Sequence, residues 1–123
     1  MQKNLQSSNQ PPIQFLVGLL QSGQFELLAI KAHECAIRWP RSGHVWHIFG
    51  LAQLNLGRSS DAIASLTKAR KLLPAELEIV ELLASALLQA GRIQEAYKAF
   101  EFHLARSPGN LSDLINLGHL AND

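Results

Sequence analysis

The sequence predicts an all-α chain built from repeated helical hairpins, and three observations predict it. Prolines at Pro40, Pro74 and Pro108 are spaced by 34 residues, and so are glycines at Gly23, Gly57 and Gly91. Two residue types keep one period, which is the mark of a helical repeat. Between these ticks the apolar residues recur at spacings of three and four, as on one face of a helix. No run alternates with the period of two that a half-buried strand needs.

The elements follow in order. Residues 1–11, "MQKNLQSSNQP", are polar and read as a flexible arm. A first helix over 12–22 begins near Pro12, a residue suited to the first helical position. It holds the apolar "FLVGLL" and ends before Gly23. A second helix over 25–38 stops ahead of Pro40, because proline cannot continue a helix. The third and fourth, over 43–56 and 59–72, flank Gly57 and close before Pro74. The fifth, over 76–90, sets Leu77, Val80, Leu83, Ala84 and Leu87 on one stripe and ends at Gly91. The sixth, over 93–106, aligns Ile93, Ala96, Tyr97, Phe100 and Leu104 before Pro108, and a seventh is expected over 111–121.

Bulk properties narrow the function. A chain of 123 residues that is 47% hydrophobic can bury one core. Eleven basic and ten acidic residues are interspersed, so no polybasic run points to nucleic acid or an anionic membrane. The apolar stretches fall short of the roughly 20 residues that a membrane-spanning helix requires. With no signal-peptide pattern at the N-terminus, a soluble cytoplasmic protein is expected. Cys35 stands alone, which excludes an intramolecular disulfide. No phosphate-cradling glycine loop and no nucleophile elbow occurs, so no catalytic residue, cofactor or enzyme activity is assigned.

The repeat residues resemble those of the tetratricopeptide repeat. Its pattern of Trp, Leu-Gly and Tyr, then Ala, Phe, Ala and Pro is met by Trp46, Phe49-Gly50, Ala62, Leu66, Ala69 and Pro74, with Gln53 departing at the Tyr position. The next copy offers Val80, Leu83-Ala84, Leu87, Ala96, Phe100, His103 and Pro108. The first is degraded to Phe15-Leu16, Leu28, Ala32, Cys35 and Pro40, and a last half-copy starts with Leu114 and Leu117-Gly118. Small residues at Gly50, Ala62, Ala69 and Ala96 let paired helices approach. Large ones at Trp46, Phe49, Leu66 and Phe100 are expected to fill the holes so made.

The resemblance implies a right-handed α-α superhelix of about seven antiparallel helices over 12–123. Its repeats are expected at about 9–42, 43–76 and 77–110, with a half-repeat or capping helix at 111–123. That last helix either caps the array or continues into a longer protein.

In that family the first helices line a concave groove with the second, fifth, sixth and ninth positions of each repeat. Carried over, these are Gln10, Ile13, Gln14 and Val17; His44, His47, Ile48 and Leu51; Glu78, Glu81, Leu82 and Ser85; Ser112, Ile115, Asn116 and His119. An apolar strip of Ile13, Val17, Ile48, Leu51 and Leu82 results, edged by His44, His47, Glu78 and Glu81. It suits a partner peptide or amphipathic helix, although some of these residues equally suit burial between neighbouring first helices. The Lys, Asn and Arg clamp with which some members grip a terminal carboxylate has no match at Ile13, Val17, Ile48, Glu78 and Leu82. An asparagine ladder for extended peptides would find only Asn116, with Gln14 beside it.

His44 and His47 share a helical face. They offer two imidazoles to a metal, with Glu78, Glu81 or His119 as the third ligand, or simply line the groove. No dense ligand motif accompanies them, so no metal is assigned. Glu78 and Glu81 are either a solvated face or negative charge for a partner's Lys or Arg. Cys35 falls at a small packing position.

Three functions follow from the resemblance. One is a protein-interaction module. Another is the N-terminal, substrate-recruiting segment of a larger bacterial enzyme such as a glycosyltransferase or sulfotransferase. The third is a self-assembling scaffold, a homo-oligomer driven by Leu114 and Leu117. Neither nucleic acid nor membrane is an expected partner.

Overall fold

The computed structural model describes residues 9–107 and 114–118. Six helices run in order: α1 (Ile13–Gln21), α2 (Phe25–Arg38), α3 (Gly43–Asn55), α4 (Ser59–Leu72), α5 (Leu77–Gln89) and α6 (Ile93–Arg106). Residues 114–118 are also helical, and no strand occurs among the described residues. The expected bounds of α2, α4 and α6 coincide with the observed ones, and the first helices begin or end one residue inside theirs. The expectations for residues 1–8, Ser112 and His119 lie outside the described residues, as does Pro108.

The glycine period has a conformational cause. Gly23, Gly57 and Gly91 have φ of 73°, 75° and 80°, the left-handed region that side-chain-bearing residues avoid. The residue after each glycine donates its N–H back into the helix end: Gln24 to Leu19 O, Arg58 to Gln53 O and Arg92 to Leu87 O, at 3.0, 2.9 and 2.9 Å. This closure satisfies carbonyls that the helix itself leaves open. At the other boundary, Ser42 caps α3 by accepting the Val45 N–H at 3.3 Å.

The helices pair as α1–α2, α3–α4 and α5–α6, and each second helix packs on the first helix of the next pair. The first helices also adjoin one another, α3 touching both α1 and α5, whereas α2, α4 and α6 stay apart. Wedge-shaped pairs stacked this way curve with α1, α3 and α5 on the inner face.

Two core clusters hold the stack. One gathers Leu16, Leu28, Val45 and Ile48; the other gathers Leu66, Ile79, Leu83 and Phe100. Burying a side chain such as Leu66 contributes about 1.5–3 kcal/mol. Gly50 sets the α3–α4 approach, since a Cβ there would lie 2.6 Å from Leu66 Cγ.

Leu66 and Phe100 are fully buried as expected, but Trp46 and Phe49 are only half-buried. Trp46 sits at the seam and packs against both clusters. Its indole N–H donates to Pro40 O at 2.8 Å, and the Lys68 ammonium lies 4.3 Å from its ring centre. The stripe expected on α5 is also incomplete. Ile79 and Ala86 are buried as well, because α5 packs against α4 as well as against α6. On α6 the buried line is Ala96, Phe100 and His103, while Ile93 is exposed and Leu104 half-buried. Position 103 continues the inward stripe that 104 leaves by one step of about 100°.

Candidate functional site

The inner face is built from α1, α3 and α5. Ile13 and Val17 are half-buried against the first cluster, Leu51 is half-buried, and Leu82 is half-buried against the second cluster. Ile48 is buried at 7% exposure and belongs to the core, so it supports this face from beneath. The strip that reaches solvent is therefore Ile13, Val17, Leu51 and Leu82. Gln10, Gln14 and His44 are exposed, as is Ile115, and Asn116 is half-buried. The Ser85 hydroxyl donates to Glu81 O within its own helix at 3.1 Å.

Two imidazole–carboxylate pairs flank this strip. His47 on α3 places Nε2 at 3.9 Å from Glu78 Oε1 on α5. That nitrogen is out of contact with water and has no hydrogen-bond partner. Burial pushes the His47 pKa down from its ordinary value; Glu78 opposes this, His44 adds to it, and Glu76 opposes it more weakly. The neutral imidazole is thus favoured in the folded chain. His103 on α6 sets Nε2 3.6 Å from Glu81 Oε2, and its side chain is 5% exposed. Repeat register assigns His103 to packing within its hairpin and not to the groove. Its packing position on a second helix gave no sign that it would meet Glu81.

The helices divide the charges sharply. None of α1, α3 and α5 contains a Lys or Arg, whereas α5 carries Glu78 and Glu81. Apart from Arg41 in the loop before α3, the described lysines and arginines stand on α2, α4 and α6 or at their N-caps, as with Arg58 and Arg92. The inner face is consequently acidic. Sorting cations by helix would have exposed this in the sequence, where the mixed totals hide it.

His44 and His47 do not converge on Glu78 and Glu81 as a ligand set. Among the described residues no three His, Cys, Asp or Glu side chains are grouped to hold a metal ion. Cys35 is buried within the first cluster, and burial, followed by the charge of Glu34, pushes its thiol pKa up against a smaller opposing effect of Lys31. That environment disfavours the thiolate. Among the described residues no helix is long and apolar enough to cross a membrane.

No family model and no curated protein matches the chain. Solved structures do. The second tetratricopeptide-repeat domain of human RPAP3, in complex with the HSP70 peptide SGPTIEEVD, superposes with a TM-score of 0.80 at 18% identity, covering 88% of this chain and 90% of that one. The Yersinia enterocolitica secretion chaperone SycD, in complex with a peptide of the translocator YopD, gives 0.79 at 16%, with coverage of 89% and 88%. MamA from Desulfovibrio magneticus RS-1 gives 0.82 at 16%, covering 88% of this chain and 61% of that one. At such identities the likeness concerns the fold, and the fold is that of a tetratricopeptide-repeat solenoid.

Proposed function

We propose that this solenoid is a protein-interaction module whose inner face receives an amphipathic segment with Lys or Arg along one flank. One observation carries the reading: the face joins an apolar strip to carboxylates and holds no cation on its helices. An apolar stripe would lie on Val17, Leu51 and Leu82, and a basic flank would meet Glu78 and Glu81. Peptide complexes of structurally similar domains support the general mode. They give no support to the alternative of an enzyme's leading segment. Their ligands do not transfer directly, because an acidic peptide such as SGPTIEEVD would be repelled by Glu78 and Glu81.

A helical peptide with leucines on one face and lysines on its flank tests this, titrated by fluorescence anisotropy beside a counterpart with glutamates in place of the lysines. The lysine peptide should bind, and Leu82→Glu or the pair Glu78→Lys and Glu81→Lys should weaken it by about tenfold or more. Equal binding of both peptides, or binding indifferent to these substitutions, overturns the reading.

A further inference from the structure

We propose that the cleft between α4 and α6, on the outer face, is a second docking site whose occupant is an acidic segment of a partner protein carrying a bulky apolar side chain. The cleft measures about 430 Å³. Ile63, Leu83 and Leu87 supply apolar lining, and Arg70 on α4 and Lys98 on α6 supply cations. Arg92 also lines it, but its guanidinium is held by Glu95 through two contacts of 2.6 and 2.7 Å, so that pair is neutral. Among the described residues neither Arg70 nor Lys98 makes a close ion pair, although the charge of Lys98 also acts on the Glu95 carboxylate in the same cleft.

Phe102 organises the cationic side. The Arg70 guanidinium lies 4.8 Å from its ring centre and that of Arg106 lies 3.5 Å from it. A guanidinium resting on a ring keeps N–H groups at its edge free for a carboxylate. The ring itself is already engaged by cations, and no other aromatic residue lines the cleft. It therefore lacks the open stacking surface that single-stranded nucleic acid uses. An apolar floor beneath unpaired cations instead complements carboxylates flanking an apolar side chain.

The preceding cleft, between α2 and α4, is a built-in control. It measures about 470 Å³, and eight of its ten lining residues lie 34 positions before a residue lining the α4–α6 cleft, Ile30 and Trp46 being the exceptions. There Lys98 is replaced by Ala64, Arg70 by the buried Ala36, and the leucines by Phe49 and Gln53. Arg58, the counterpart of Arg92, is drawn away to Glu26 on α2 at 3.1 Å, leaving Asp61 on the wall. The same scaffold thus lines one cleft with Arg70 and Lys98 and the other with no cation but the paired Arg58; Lys68, at the position of Phe102, lies over the Trp46 ring and is not part of that lining.

The test is a fluorescein-labelled synthetic peptide with leucine and phenylalanine flanked by glutamates, titrated into the full chain. Its glutamine counterpart and a short single-stranded DNA serve as competitors, and light scattering runs in parallel. The glutamate peptide should bind and weaken as salt rises. Lys98→Ala combined with Arg70→Ala copies the preceding cleft and should cost about tenfold or more in affinity. Lys98→Ala alone, at an exposed position, should show a smaller loss with unchanged helicity. Arg58→Ala and Leu82→Glu should leave the affinity as it was, which separates this site from the inner face. Equal binding of the glutamine peptide, retention of affinity by the double variant, or stronger competition by the DNA overturns the proposal. So does self-association of the chain that the double variant abolishes.

Discussion

Inside the α3–α4 interface the Ser65 hydroxyl donates a hydrogen bond to Gln53 Oε1 at 2.6 Å, with both residues buried. Gln53 stands where the repeat pattern favours tyrosine, and Ser65 is its local compensation. Ser65→Ala strands a buried acceptor and should cost about 1–3 kcal/mol. Replacing both, as Gln53→Leu with Ser65→Ala, should recover most of that. Urea denaturation of the two variants decides it: a double variant no more stable than the single one refutes the pairing.

The glycines at 50 and 18 should respond in opposite directions. A Cβ at Gly50 meets the fully buried Leu66 at 2.6 and 2.7 Å, and the surrounding core leaves Leu66 nowhere to go. Overpacking costs about 1–3 kcal/mol and exceeds the helix-propensity gain of about 0.8–1 kcal/mol, so Gly50→Ala should lower the melting temperature. At Gly18 nothing lies within 4 Å of a built Cβ. Gly18→Ala should stabilise by about 0.5–1 kcal/mol. Shifts of the same sign for both would contradict the packing described.

Trp46 joins the two core clusters, so its removal should loosen their coupling as well as the local packing. Trp46→Ala is expected to cost about 3–5 kcal/mol, toward the lower figure because the ring is only half-buried. Broadening of the thermal transition should accompany the loss. A variant melting like the parent would show that the seam carries no load.

His47 should make stability depend on pH. Its folded pKa lies below its ordinary value of 6.5, chiefly through burial. As pH falls, the unfolded chain takes up the proton first, so the contribution of the neutral imidazole is complete above the ordinary value. It is lost as pH drops toward the folded one. His47→Gln should therefore flatten the decline in melting temperature between neutral pH and about pH 5. Glu78→Gln, which removes the charge opposing the shift, should lower the folded pKa further and steepen it. Parallel curves for parent and His47→Gln would refute this assignment.

Much of the inner face was readable from repeat register: Ile13, Val17, Leu51, Leu82, Glu78 and Glu81 all stand on the three first helices. Ile48 shows the limit of that reading. Register places a residue on a helix face, but the distance to the next helix decides whether that face is open, and here Ile48 is 7% exposed. The His47–Glu78 and His103–Glu81 pairs cross between helices, so their approach depends on stacking that spacing along one helix does not encode.

By itself the sequence determined the helices and their period. Gly23, Gly57 and Gly91 adopt the left-handed conformation that their residue type favours, and the proline-marked boundaries at Pro40 and Pro74 are local stereochemistry. Tertiary structure alone decided which second faces were buried, as with Ile79 and Ala86 on α5. It also decided which cations were left unpaired, as with Arg70 and Lys98 beside the neutralised Arg92. The reason is range: backbone preference acts within a few residues, while burial and charge pairing depend on neighbours that only the stacked helices bring together.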